Sequence, residues 1–289
     1  MSTPATSPRR LFAVEVARPE QELNLARAAL LLAKEEYPQL SVELYLARLD
    51  QMAEEVKDRL ADETAPLVVL DELVRTLFER RRLRGNRTAH HDPRNSFLND
   101  VLDRGVGRPV TLGIVLLEVA WRLHLPMEGV NFPSQFLVRY RGDAMHLLLD
   151  PFDGGRVRFE DQAQELLDQV YGGMVRMQDQ FMRRATRRDM LARLLVNLKG
   201  VYVNVGDTVR ALAAVERLLL IQPTARGENR DRGLLLARMG RRDEAAEQLE
   251  AYLELAPEAP DAERIRDIVG DLRAGRSLSA DDMEGAEGS

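Results

Sequence analysis

The sequence predicts an α+β domain followed by an all-α helical repeat region. Three observations carry this: helical apolar periodicity through the first third, a nearly all-apolar helix that runs into short strands between residues 109 and 150, and a 34-residue period near the C-terminus. Composition agrees. Of 289 residues 45% are hydrophobic, enough for a core in one large or two ordinary domains, and the 5% aromatic content with abundant Ala, Leu and Arg suits helices. Lys plus Arg number 41 against 47 Asp plus Glu, and a net charge of −6 argues against a general nucleic-acid binder. The absence of cysteine excludes a disulfide, a thiolate metal site and a cysteine nucleophile.

The polar start "MSTPATSPRR", residues 1–10, lacks the apolar core of a signal peptide and reads as disordered. No later stretch approaches the roughly 18 to 20 apolar residues of a membrane helix, so the expectation is a cytoplasmic protein with no membrane contact. Three helices follow, roughly 20 to 36, 41 to 60 and 66 to 82, punctuated by Pro38 and Pro66. Tyr45, Leu49, Met52, Val56 and Leu60 form one apolar stripe, and Leu67, Leu70, Leu73, Val74 and Leu77 another.

"ERRRLRGNRTAHHDPRN" breaks the periodicity and gathers positive charge at a helix C-terminus, where the dipole favours cations. It reads as a capped helix end and solvated loop, with an anion-binding loop or nucleic-acid contact through Arg80 to Arg94 as alternatives. His90 and His91 with Asp92 could suggest a metal, but the remaining imidazoles, His124 and His146, lie far away in sequence, and no metal or cofactor is expected. A short helix spans about 94 to 104. From Pro109 to His124 the pattern is apolar nearly all round, which predicts a buried central helix opened by a first-turn proline. Short strands near 128 to 132, 135 to 141 and 145 to 150 follow, the last two joined by the hairpin signal "RGDA".

After a helix at 159 to 169 the chain is helical again from about 186. Gly206 and Gly240 are 34 residues apart, as are Ala211 and Ala245, Val215 and Leu249, and Pro223 and Pro257. A small residue in the second helix and a closing proline at this period form the tetratricopeptide signature, with Leu195, Leu198 and Tyr202 at large packing positions. Asn229 and Arg232 depart from the pattern, and a further helix spans about 261 to 273. Lys199, Tyr202, Asn229 and Arg232 are the candidate partner-binding side chains for a protein or peptide. Residues 274–289 read as a disordered acidic tail.

Chemistry is sparse. A nucleophile needs a base in reach and a group to orient that base. Thr111 near the start of the central helix, Gln135 and Asp150 are the candidates, and glutamine has no titratable proton with which to act as a base. His146 shares a strand face with Asp150 but lies about 13 Å along the strand from it.

The run from "RGNRTAHHDPRNSFLNDVLDRGVGRPVTL" to "NFPSQFLVRY", followed by "LLLDPFDGG", closely resembles the SirB-type branch of the transglutaminase-like superfamily, whose members carry C-terminal tetratricopeptide repeats. The resemblance implies a papain-like α+β core over residues 11–180, with N-terminal helices, a buried helix bearing the nucleophile and a small antiparallel sheet, ahead of repeats at 186–273. Laid over the superfamily pattern, Pro109 falls at the cysteine, Gln135 at the histidine and Asp150 at the aspartate, and "PSQFLV" stands where the branch usually reads Pro-Gly-His-Phe-Leu-Val. "HHDP" stands where the branch tends to carry tyrosines. A degenerate triad of this kind implies a pseudoenzyme acting as a protein-interaction or regulatory scaffold, in keeping with the link of family members to gene regulation in bacteria. Asp150 then holds Gln135 or the strand-end backbone in place. The alternative is a hydrolase or amidase using Thr111, or a water near Asp150, with His146 or His124 as base.

Overall fold

The computed structural model describes residues 7–142 and 145–276. It is α+β and divides into two compact units, Met1–Leu194 and Leu195–Ser289. The described residues open with a helix that periodicity missed, α1 (Pro8–Val16), so residues 8–10 belong to regular structure. Ser7 accepts the Arg10 N–H and Pro8 fills the first turn, both good helix starts. Asn24 and Ser41 cap α2 (Leu25–Glu36) and α3 (Val42–Leu60) in the same way. The expected helix at 66 to 82 is α4 (Pro66–Val74), which widens into a π turn at Arg75–Arg80.

A parallel pair follows, β1 (Arg84–Gly85) beside β2 (Val106–Gly107), with a 3₁₀ turn at Pro93–Asn95 and α5 (Leu98–Arg104) between them. The single helix expected at 94 to 104 is thus split. Gly105, at φ 69°, ends α5 in the left-handed conformation that suits glycine.

The central helix α6 (Pro109–Arg122) is buried from Val110 to Ala120. Its one buried charge, Glu118, accepts the Ala26 N–H at 2.9 Å and pairs with Arg122 at 2.6 Å, so an acid in an apolar helix caps the start of α2. The sheet is β3 (Met127–Val130), β4 (Leu137–Arg141), β5 (His146–Asp150), β6 (Arg156–Phe159) and β7 (Arg184–Ala185), in the order β6-β5-β4-β3-β7 and antiparallel throughout. Within the expected "RGDA" turn, Asp143 and Ala144 lie outside the described residues, while Arg141 pairs opposite His146 on the flanking strands.

Two glycines fix how helix and sheet meet. A Cβ on Gly113 of α6 would fall 2.4 Å from the Phe136 ring, and one on Gly129 of β3 2.6 Å from it, so Phe136 wedges between them. On the opposite face Val130, Leu137 and Leu148 pack with Leu166 and Leu167 of α7 (Ala163–Tyr171). β7 pairs with β3, which ties residues 184 and 185 into the first unit, and the unit boundary falls inside α8 (Arg187–Asn204).

The second unit continues through α9 (Thr208–Ile221), α10 (Arg226–Arg238), α11 (Arg242–Leu255) and α12 (Ala262–Arg273). Gly206 and Gly240, at φ 73° and 74°, turn the chain at equivalent points of the period. Ala211 and Ala245 are fully buried, and a Cβ on Gly233 would fall 2.6 Å from Leu249, so the small residues of the repeat sit where helices approach. The expected tail beyond 276 lies outside the described residues.

Candidate functional site

The sequence marks three places: the start of α6, the loop into β4 and the end of β5. Pro109 is the first residue of α6, and its ring offers neither a nucleophile nor an N–H. Arg108 precedes it as N-cap and donates its backbone N–H to Asn95. Thr111 is fully buried, and its hydroxyl has no hydrogen-bond partner. His124 stands past the far end of α6, and thirteen residues at 1.5 Å each put it about 20 Å from Thr111. It is not placed to act as a base for that hydroxyl.

Gln135 lies in the turn before β4, with its backbone N–H on the Phe132 carbonyl and its side-chain oxygen buried without a partner. Asp150 ends β5, and its Oδ1 accepts two backbone N–H groups, from Phe152 at 2.9 Å and Asp153 at 3.1 Å. Of the two roles foreseen for Asp150, the backbone one is realised. Burial pushes its carboxyl above the ordinary aspartate range, and the two N–H bonds only partly offset that. His146 points elsewhere: its Nδ1 lies 3.3 Å from Glu160. No imidazole reaches Asp150 among the hydrogen bonds of the described residues.

The Asp150 turn sets its loop against the basic stretch around Arg87, a contact the sequence did not show. A Cβ on Gly85 would fall 2.4 Å from the Phe152 ring, so β1 lies flat against that ring. His90 stacks beside Phe152 at 6.1 Å, and the Arg87 guanidinium lies 5.1 Å above it while pairing with Asp153 at 2.9 Å. Around this loop opens a cavity of about 690 Å³, lined by Arg84, Asn86, Arg87, Thr88, Phe152 and their neighbours. The signal was present as "RGNR" facing "DPFDGG", but their proximity is a tertiary fact. His90 and His91 join no cluster of three or more metal-ligating side chains among the described residues.

In the repeat unit, three of the four candidate partner-binding side chains are engaged internally and the fourth is buried. Lys199 lies 2.8 Å from Glu228 and 2.9 Å from Asp231, Asn229 donates to the Pro223 and Ala225 carbonyls, and Arg232 donates to Gln248. Tyr202 is buried. These side chains hold the repeat together rather than presenting an open surface, because Lys199 reaches α10, Arg232 reaches α11 and Asn229 binds the turn that starts its own helix. No helix of the described residues is long and apolar enough to cross a membrane.

The family model described as transglutaminase-like superfamily matches residues 43–196, and one described as tetratricopeptide repeat matches residues 198–270. A UPF0162 protein of Xylella fastidiosa (strain Temecula1) is 34% identical over 256 residues, 88% of this chain and 91% of its own length. A UPF0162 protein of Pseudomonas aeruginosa is 29% identical over 248 residues, 86% of this chain and 90% of its own. The UPF0162 protein YchA of Escherichia coli K12 is 30% identical over 177 residues, 61% of this chain and 65% of its own. No solved structure matches the chain.

Proposed function

The chain belongs to the transglutaminase-like superfamily, and from that premise we propose that it is a catalytically inactive member that works in the cytoplasm as a protein-interaction or regulatory scaffold, through its tetratricopeptide repeats and its vacated cleft. One observation carries the inactivity: the Asp150 Oδ1 is committed to the backbone N–H groups of Phe152 and Asp153. An aspartate in a triad orients an imidazole, and here it braces a turn. Pro109 and Gln135 add no nucleophile and no base. The alternative through Thr111 finds no support in the geometry, since that hydroxyl is sealed from solvent and has no base beside it.

The interaction role rests on the repeats, which carry exposed apolar side chains such as Val196, Val205 and Val209 on their surface. Two assays on the full chain test the reading. Incubation with glutamine-bearing peptides, amines and aryl esters is expected to give background turnover; turnover that disappears in Thr111→Val would overturn the inactivity. Cross-linked partner capture is expected to depend on the repeat surface and to weaken in Val196→Glu. Capture that is the same in both chains, or no capture at all, removes the scaffold role.

A further inference from the structure

We propose that the cavity bordered by Arg84, Asn86, Arg87, Thr88 and Phe152 binds a small oxyanion, the carboxylate or phosphate group of a small molecule. The inference goes beyond the scaffold reading and does not depend on it. The cavity, of about 690 Å³, is in the size range of small-molecule sites. Its charge is selective. Of the arginines between residues 80 and 94, Arg80 pairs with Glu72, Arg81 with Glu55, Arg87 with Asp153 and Arg94 with Asp92. Arg82 and Arg84 have no carboxylate partner among the described residues, and of these two Arg84 lines the cavity. A guanidinium offers the planar fork that matches carboxylate and phosphate oxygens.

The walls are fixed in advance. The Asn86 Oδ1 accepts the N–H groups of Thr88 and Ala89, its amide donates to Asn95 at 3.0 Å, and Phe152 is held by the Asp150 turn. Behind the loop stands a second uncompensated cation. Arg108 donates to the carbonyl of His90, the residue stacked on Phe152, and no carboxylate pairs with it among the described residues. Its Nε is buried without a partner, and burial lowers its pKa. A half-buried guanidinium lacking a counter-ion raises the positive potential of its surroundings, which suits a site that receives its anion from solution. In a chain of net charge −6 that potential is local, which favours a small anion over a polyanion.

The test is calorimetric titration of the full chain with inorganic phosphate and, separately, with succinate, at an ionic strength held constant with chloride. Saturable binding of at least one is expected, and the stronger arm identifies the head group. Arg84→Gln is expected to weaken it about tenfold or more, with the melting temperature of the unliganded chain unchanged because Arg84 is exposed. Arg82→Gln, which removes an arginine outside the cavity, is expected to bind like the wild type. The proposal is overturned if neither anion gives a saturable heat, or if the two variants weaken binding equally, which would mark a bulk charge effect.

Discussion

The carboxylate of Asp150 accepts the backbone N–H of Phe152 at 2.9 Å, and the ring so placed occupies the space that a side chain on Gly85 would need. Asp150 thereby locks a loop against a strand 65 residues earlier in the chain. The same two-bond turn positions Asp153, which holds Arg87 at 2.9 Å, so the electrostatics of the cavity begin at Asp150.

If Asp150 is a brace, its removal is a loss of stability. Asp150→Ala leaves two loop N–H groups without their acceptor and is expected to cost about 1–3 kcal/mol. Asp150→Asn keeps an acceptor oxygen and is expected to cost less. The pH dependence separates them further. Burial raises the folded carboxyl above its unfolded value of 3.8, so the folded state binds the proton more tightly and the ionised form is the costly one. Stability from this residue is therefore lost as pH rises through the folded value, and Asn should gain on Asp between about pH 4 and pH 7. Urea unfolding at both pH values checks this; an Asn variant that fares worse at the higher pH would show that the charge itself is needed.

Gly85 tests the other half of the contact. Gly85→Ala forces its Cβ into the Phe152 ring and is expected to destabilise by about 1–3 kcal/mol. Pairing it with Phe152→Leu, which gives up part of the ring's volume, should recover part of that loss in a double-mutant cycle. Additive losses would place the two residues out of contact.

What was legible in the sequence follows from how locally each feature is encoded. Pro66 and Pro109 sit in first turns, so the starts of α4 and α6 could be placed closely. The 34-residue period located Gly206 and Gly240 because each turn needs its glycine. β7 was not legible: two residues become a strand only because Gly129 and Val130 lie opposite them. The charged stretch Arg156–Phe159 is a strand for the same kind of reason, through pairing with β5. The candidate triad positions were readable by likeness, but that Asp150 would turn to its own loop while Gln135 kept an unpartnered oxygen depends on side-chain placement. Pairing decided the cations too, since Lys199 meets acids 29 and 32 residues away, whereas Arg108 meets none among the described residues.

Ser134 sits at φ 59° immediately before Gln135. A residue with a Cβ is strained there by about 1–2 kcal/mol, while glycine costs roughly 0.5–1 kcal/mol of extra chain entropy on folding. Ser134→Gly is therefore expected to stabilise the fold by roughly 0.5–1 kcal/mol, the difference between those ranges. A thermal melt reads it, and a lowered midpoint would mean that the hydroxyl bond to the Pro133 carbonyl outweighs the strain.

The repeat unit carries its own electrostatic test. Lys199 bridges Glu228 and Asp231, Arg230 links Asp231 to Asp261, and the Tyr252 phenol donates to Asp261 at 2.6 Å. Lys199→Met strands the poorly exposed Glu228 carboxylate, leaves Asp231 to Arg230 alone, and is expected to cost about 3 kcal/mol, in the range for removing one partner of a buried pair. Burial alone would lower the Lys199 ammonium, but the Asp231 and Glu228 carboxylates outweigh it and raise it above 10.5. Burial and the Asp261 bond push the Tyr252 phenol up to about 12. Both groups keep their protons more tightly when folded, so their stabilisation is complete below the unfolded values near 10 and is lost as pH climbs toward the folded ones. Helical signal followed by circular dichroism should then show alkaline melting that begins above about pH 10. Lys199→Met should lose less stability over that interval than the wild type, because one of the two titrating groups is gone; an identical alkaline profile in the two chains would mean that Lys199 does not hold the repeats together through its charge.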